Sequence, residues 1–191
     1  MKKVLVSFAL LLASQITSAQ GVSSKCYRGF ADAGYTIGIG DYEFDRIEVN
    51  TSHGYQINPY FFVGGGVGLH FMQKYETPNQ LIALDQRDSK VDIPVFANVR
   101  ADFCKGRITP FIDVKAGTYV THNGGLYLNL SAGCRYVLED KQAVNISIGY
   151  TSEELEFDTF EGFPGLSTMK YTRSSRKLTT EGIAIKMGYD F

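Results

Sequence analysis

The sequence predicts an all-β chain, folded as an eight-stranded antiparallel up-and-down transmembrane β-barrel behind a cleaved signal peptide. Three observations predict it. The last ten residues, Gly182 to Phe191, alternate apolar with small or charged side chains up to a final aromatic, as a strand with one face for lipid does. The composition holds 20 glycines, 12 tyrosines and 13 phenylalanines without tryptophan, and no long stretch carries a helical period. Mean hydropathy is −0.10, a near-neutral value expected where strands turn only half of their residues to lipid.

The elements follow in order. Lys2 and Lys3, the apolar run from Val4 to Ala13 and the small residues Thr17-Ser18-Ala19 read as a signal peptide over 1–19, leaving 20–191 as one barrel domain. The apolar run is about half of the roughly twenty residues that a spanning helix needs. Without Lys2 and Lys3 the mature chain has 17 Lys plus Arg against 20 Asp plus Glu, a balance that argues against a nucleic-acid partner.

Turn signals divide the rest into eight segments. Segment 26–40 sets Tyr27, Tyr35 and Ile37 against Arg28 and Asp32, and segment 45–56 sets Ile47, Val49 and Tyr55 against Arg46 and Glu48. Segment 60–72 opposes Phe61, Val63, Val67 and Leu69 to a glycine-rich face. The clearest, 91–104, opposes Val91, Ile93, Val95, Ala97, Val99, Ala101 and Phe103 to Asp92, Asn98, Arg100 and Asp102. Segment 110–121 places Ile112 and Val114 against Asp113 and Lys115, and 126–137 places Leu126, Leu128 and Leu130 against Asn129 and Arg135. Segments 143–153 and 178–191 close the set with Val144, Ile146, Ile148 and Tyr150, then Ile183, Ile185 and Met187 opposite Lys186 and Asp190.

The apolar-parity faces comprise 45 positions, and none is Asp, Glu, Lys or Arg, where about nine would fall by chance at 20% charged content. A charge at the bilayer midplane costs roughly 2–4 kcal/mol, which explains the exclusion. The opposite faces carry Arg28, Arg46, Arg100, Lys115, Arg135 and Lys186 with Asp32, Glu48, Asp92, Asp102, Asp113 and Asp190, a lumen network of six charges of each sign. Alternation alone also fits a soluble, lipocalin-like ligand binder with the faces inverted. That reading would crowd the apolar positions into a narrow lumen, so the barrel in lipid is expected. Short turns near Asn58-Pro59, Lys105-Gly106-Arg107 and Glu139-Asp140-Lys141 are expected at the periplasm, and the long connections 73–90 and 154–177 outside. Tyr27, Tyr55, Phe61, Phe103, Tyr136, Tyr189 and Phe191 then form a periplasmic aromatic girdle.

The stretch from Gly54 to Gly68, GYQINPYFFVGGGVG, resembles the second hairpin of small outer-membrane barrel proteins of Bacteroidetes-type bacteria, and Pro110 to Gly117 resembles their fifth strand. These are similar to the eight-stranded barrels related to the OmpX and OmpA transmembrane domains, over about residues 25–191. The resemblance implies location in the Gram-negative outer membrane among lipid and lipopolysaccharide. It also implies insertion by the barrel assembly machinery, reading the last strand with Tyr189 and Phe191. Gly188 departs from the proteobacterial pattern of that strand.

Function is legible only coarsely. Eight strands enclose a lumen that side chains fill, so paired charges are expected to plug it and a narrow pore is the lesser reading. Gly34, Gly38, Gly40, Gly64, Gly66 and Gly68 either make room for long Arg and Lys side chains or relieve strain in coiled strands. A lipid A-modifying barrel enzyme would need a nucleophile–histidine set facing lipid. His53, flanked by Thr51 and Tyr55, sits near a periplasmic turn, His70 points inward and His122 lies in an outer turn, and no Ser-His-Glu set emerges. Cys26, Cys104 and Cys134 lack metal-ligand spacing, and a Cys26–Cys104 disulfide across the mouth is expected. Neither cofactor nor metal is expected.

The outer connection 154–177 carries Glu154, Glu156, Asp158 and Glu161 on one arm and Lys170, Arg173, Arg176 and Lys177 on the other. Leu155, Phe157, Met169 and Tyr171 are expected to pair across it, with a tip at Gly162-Phe163-Pro164-Gly165. Phe160 and Phe163 there offer contact to a surface partner, and Leu81-Ile82-Ala83-Leu84 in the other loop is expected to fold over the mouth. The expectation is a monomeric barrel with an envelope-structural or surface-interaction role.

Overall fold

The computed structural model describes residues 26–40, 42–76, 83–121, 124–138, 142–163 and 170–191. The expected signal peptide, His122, Met169, Leu81, Ile82, the turn at 139–141 and Pro164 and Gly165 of the expected tip lie outside these.

Among the described residues eleven strands form one sheet: β1 (Cys26–Ile39), β2 (Arg46–Asn58), β3 (Phe61–Met72), β4 (Tyr75–Glu76), β5 (Ala83–Arg87), β6 (Val91–Asp92), β7 (Pro94–Asp102), β8 (Ile108–Tyr119), β9 (Leu126–Val137), β10 (Ala143–Phe163) and β11 (Lys170–Asp190). Eight staves pair in chain order, all antiparallel, with β6 and β7 as one stave, and β11 closes on β1. The β6–β7 break falls at Ile93, whose N–H donates to Thr121 Oγ1 at 3.0 Å, just before Pro94, which has no N–H for the ladder.

Barrel geometry follows from the register. From Gly29 the pairing runs to His53, Gly65, Ala97, Ala116, Leu128, Ser152 and Glu181, and returns to β1 at Ile39, ten residues further along. Eight strands with that stagger give a strand tilt of about 40° and a radius of about 8 Å.

Two local devices set the ends. At the β2–β3 turn Asn58 Oδ1 accepts from the N–H of Tyr60 and of Phe61, both at 2.8 Å, which explains the tight Asn58-Pro59 corner. At the opposite end Gly40 turns the chain out of β1 with φ of 85°, a backbone that favours glycine. The inward glycines give the interior its room. A Cβ on Gly66 would lie 2.2 Å from the Thr51 carbonyl oxygen and 2.6 Å from the Phe96 ring. Gly66→Val is therefore expected to destabilise the barrel by about 1–3 kcal/mol. Gly65→Val, on the outward face where the nearest atom is 3.4 Å away, should lie much closer to wild type, both read as urea midpoints in lipid vesicles.

β10 and β11 run past the expected ends of segments 143–153 and 178–191, and the 154–177 connection forms the hairpin that its oppositely charged arms predict. They stay paired from Ala143↔Asp190 to Phe163↔Lys170. The ten residues of β10 beyond Glu153 add about 30 Å of strand. Leu155 stands opposite Leu178, but Phe157 faces Arg176, not an apolar partner, and Tyr171 faces Gly162. Both Leu155 and Phe157 are buried, pointing inward. The 73–90 connection adds β4 and β5, and β5 pairs with β10 from Asp158↔Gln86 to Glu161↔Ala83. Leu84 thus stands opposite Phe160 up the hairpin, not over the mouth, giving a four-stranded extension, β11-β10-β5-β4, beyond the rim.

Candidate functional site

Two surfaces define what the barrel can do: its wall and its lumen. Of the 45 apolar-parity positions only Gly29, beneath the Phe191 ring, is buried, and outward Ile47, Val63, Val95, Leu130, Ile148 and Ile185 stand 43–59% exposed. So wide an apolar band around a closed barrel is the surface of a transmembrane β-barrel of the outer-membrane type, and the inverted, soluble arrangement is excluded. The aromatic girdle stands where expected at the short-turn rim, with Lys105 over the Tyr60 ring at 5.1 Å and Arg107 over Tyr136 at 5.1 Å. A second girdle, which the sequence reading missed, marks the long-loop rim. There the lipid-facing Tyr35 hydroxyl donates to Asp45 at 2.8 Å, and that of Tyr150 to Glu181.

The lumen holds all twelve sequence-predicted charges, in three storeys. At the short-turn end Asp190 accepts from Arg28 at 2.7 Å and Arg135 at 2.6 Å, and lies 3.6 Å from Arg100. Arg28 also pairs with Asp102 at 2.8 Å and Arg100 with Asp113 at 3.0 Å. The Arg100 guanidinium lies between the Phe30 and Phe111 rings, 3.9 and 4.3 Å from their centroids, a cation–π sandwich in a dry wall.

The middle storey joins Lys115 to Asp32 at 2.6 Å, Lys186 to Glu48 at 2.8 Å, and Arg46 to Glu48 at 2.8 Å and Glu153 at 2.6 Å. His70 lies among them, 2.8 Å from the Tyr119 hydroxyl and 3.2 Å from Asn50 Oδ1. Above, Arg87 pairs with Asp92. Glu153 and Arg87 escaped the sequence reading. Adding them gives seven charges of each sign among the described residues, with each storey neutral in itself.

The third storey ends in an apolar plug: Phe44, Met72, Phe96, Tyr119, Tyr127, Leu155, Phe157 and Leu178, with Tyr42 and Tyr75 against it. Arg87 lies over the Phe44 and Phe157 rings at 5.7 and 5.8 Å, tying the top ion pair to the plug.

Other candidate chemistries can be placed. Glu48, His70 and Glu153 bring ligand atoms within 4.8 Å of one another. Arg46 and Lys186 already neutralise the two carboxylates, so a dication there would be left uncompensated. On the wall, His53 is hydrogen-bonded through Nδ1 to the Tyr27 hydroxyl and through Nε2 to Thr51 Oγ1 at 2.9 Å, with Phe191 edge-on at 5.9 Å. A hydroxyl, an imidazole and a phenol therefore meet on the lipid face. The flanking backbone N–H groups belong to the β1–β2–β3 ladders and cannot aim at a developing oxyanion.

The cysteines depart from expectation. All three are free and exposed, and Cys104 Sγ instead donates to the Ile108 carbonyl at 3.4 Å within its own turn. β1 and the β7–β8 turn are separated by β2 and β3, so the Cys26–Cys104 bridge is corrected to separate thiols.

No family model and no curated protein matches the chain. Solved structures similar to it include outer membrane protein AlkL, with 11% identity over 90% of this chain and 91% of that one and a TM-score of 0.48. The outer membrane protein OprG from Pseudomonas aeruginosa gives 11% identity over 87% and 97% at 0.47, and Neisserial surface protein A 14% over 85% and 95% at 0.45.

Proposed function

We propose that the chain is a monomeric outer-membrane barrel with an envelope-structural and surface-interaction role, with short turns in the periplasm and the β11-β10-β5-β4 extension outside. The plugged lumen carries this reading. Three neutral storeys and an apolar plug fill a barrel of about 8 Å radius, leaving the wall and the extension as its working surfaces. The extension suits contact. Its outer edge on β11 runs past the end of β1 at Ile39, and from Lys170 to Thr180 the sequence has four cations and no carboxylate. Positive charge along an open strand edge resists unspecific pairing while it draws anionic surfaces, lipopolysaccharide included.

Catalysis is not part of this reading, because the Thr51–His53–Tyr27 group lacks a carboxylate orienter and an oxyanion donor. Planar-bilayer recording of the refolded protein tests the closed lumen. Brief or no openings are expected, and a steady, large unitary conductance would overturn the assignment.

A further inference from the structure

Among the described residues of the short-turn rim, Lys105 and Arg107 in the β7–β8 turn are the only exposed charged side chains. The turn is held by its own hydrogen bonds: Phe103 N–H donates to the Pro110 carbonyl at 2.9 Å, and Thr109 Oγ1 to that of Gly106 at 3.0 Å. Its neighbours are fixed to it as well. Asp102 N–H donates to the Tyr60 carbonyl at 2.7 Å, and Val137 N–H to that of Arg107 at 2.8 Å. The Tyr60 and Tyr136 rings therefore flank the hairpin on its two sides. Lys105 lies over the first and Arg107 over the second, each 5.1 Å from the ring centroid.

A cation laid on a ring keeps its other side for the medium, and neither of these two has a carboxylate partner among the described residues. Phe103 and Ile108, the last outward apolar side chains before the turn, are 60% and 62% exposed, more than the band above them. Both arms of the hairpin thus carry a cation next to bare apolar surface, at the level where hydrocarbon gives way to headgroups. A soluble anion would answer the cations and leave Phe103 and Ile108 uncovered, and an acyl chain alone would do the reverse. A zwitterionic headgroup would bring a cation of its own against them. Resting on the outer-membrane reading with its short turns in the periplasm, we propose that the β7–β8 turn docks an anionic glycerophospholipid of the periplasmic leaflet. Its phosphodiester lies on Lys105 and Arg107, and its acyl chains run over Phe103 and Ile108 onto the wall. Each cation at an anionic lipid surface contributes about a fivefold preference.

The chain contains no tryptophan, so one substitution supplies a reporter without background. Phe103→Trp in the full-length chain, folded in phosphatidylcholine vesicles, is titrated with acyl-brominated phosphatidylglycerol or, separately, acyl-brominated phosphatidylcholine, whose bromines quench a neighbouring indole. Half-quenching is expected at an at least fivefold lower mole fraction of the phosphatidylglycerol. Tyr189→Trp, at the same rim but on β11 across the barrel, should read the two lipids alike. With Lys105→Gln and Arg107→Gln added, the preference at Phe103→Trp should fall below about twofold while heat-modifiable gel mobility shows a folded barrel. Equal quenching of Phe103→Trp by the two lipids, or a preference that survives the double substitution, would overturn the lipid site. The outer-membrane reading would then still stand on the quenching of Tyr189→Trp by both. Reversal by sn-glycerol 3-phosphate would make the turn a phosphate site and overturn the proposal as well. Quenching of neither tryptophan by either lipid would take the wall out of hydrocarbon, and the two readings would fall together.

Discussion

Asp190→Ala is expected to cost about 3–5 kcal/mol of unfolding free energy, the largest loss of any single lumen substitution at the short-turn end. Asp190 is fully buried and accepts from Arg28, Arg135 and the Asn145 amide at 2.6–2.8 Å, with Arg100 at 3.6 Å. Its removal leaves three guanidiniums in a space closed to water on most sides, their positive charge answered only by Asp102 and Asp113. Coulomb repulsion and lost hydrogen bonds then act together, whereas an ion pair lost on a solvated surface costs less than about 1 kcal/mol. Asp113→Ala orphans only Arg100, which keeps its place between Phe30 and Phe111, so a smaller loss is expected. Urea unfolding of protein refolded into lipid vesicles measures both, which separates stability from cellular assembly. Equal losses at the two positions would show that Asp190 is not the hub of the storey.

The faces of the staves were legible because period two is strict: a residue and its neighbour point opposite ways whatever the partners are. That put Arg28, Asp32, Arg46, Glu48 and the other eight in the lumen. Which of them pair was not legible. Arg46 meets Glu153 across a sequence separation of 107 residues, and only the stagger of ten decides that contact. Arg87 was hidden for another reason, since it lies in a connection with no period of its own.

The end of the apolar alternation at 153 and 178, while the strands continue, has a solvent explanation. Within the bilayer, apolar residues face out and charges face in. Past the rim the surroundings become water and the rule inverts: Leu155, Phe157 and Leu178 turn inward onto the plug, while Glu154 and Lys177 face outward. A strand that changes its polar face halfway looks like the end of its alternation, although its backbone pairing continues without a break. The apolar plug was hidden too, because Phe44, Tyr119 and Leu155 sit at inward parity among polar residues or in connections.

This inversion yields a test of the medium around the wall. Ile148 is 59% exposed, with Ile185 and Ala132 as its cross-strand neighbours, in the middle of the apolar band. Ile148→Arg is expected to cost about 2–4 kcal/mol in lipid vesicles, because the guanidinium enters hydrocarbon with no lumen partner within reach. Thr179 is also exposed and outward on the adjoining strand β11, but it stands past the rim opposite Glu154. Thr179→Arg should change stability by no more than about 0.5 kcal/mol, as surface substitutions in water do. Both substitutions add the same side chain to an exposed strand position, so propensity and volume largely cancel and the difference reports on the surrounding medium. A difference of about 2 kcal/mol or more places the band in hydrocarbon. Equal, small effects at the two positions would mean that water reaches Ile148, and the transmembrane placement of the barrel would have to be abandoned.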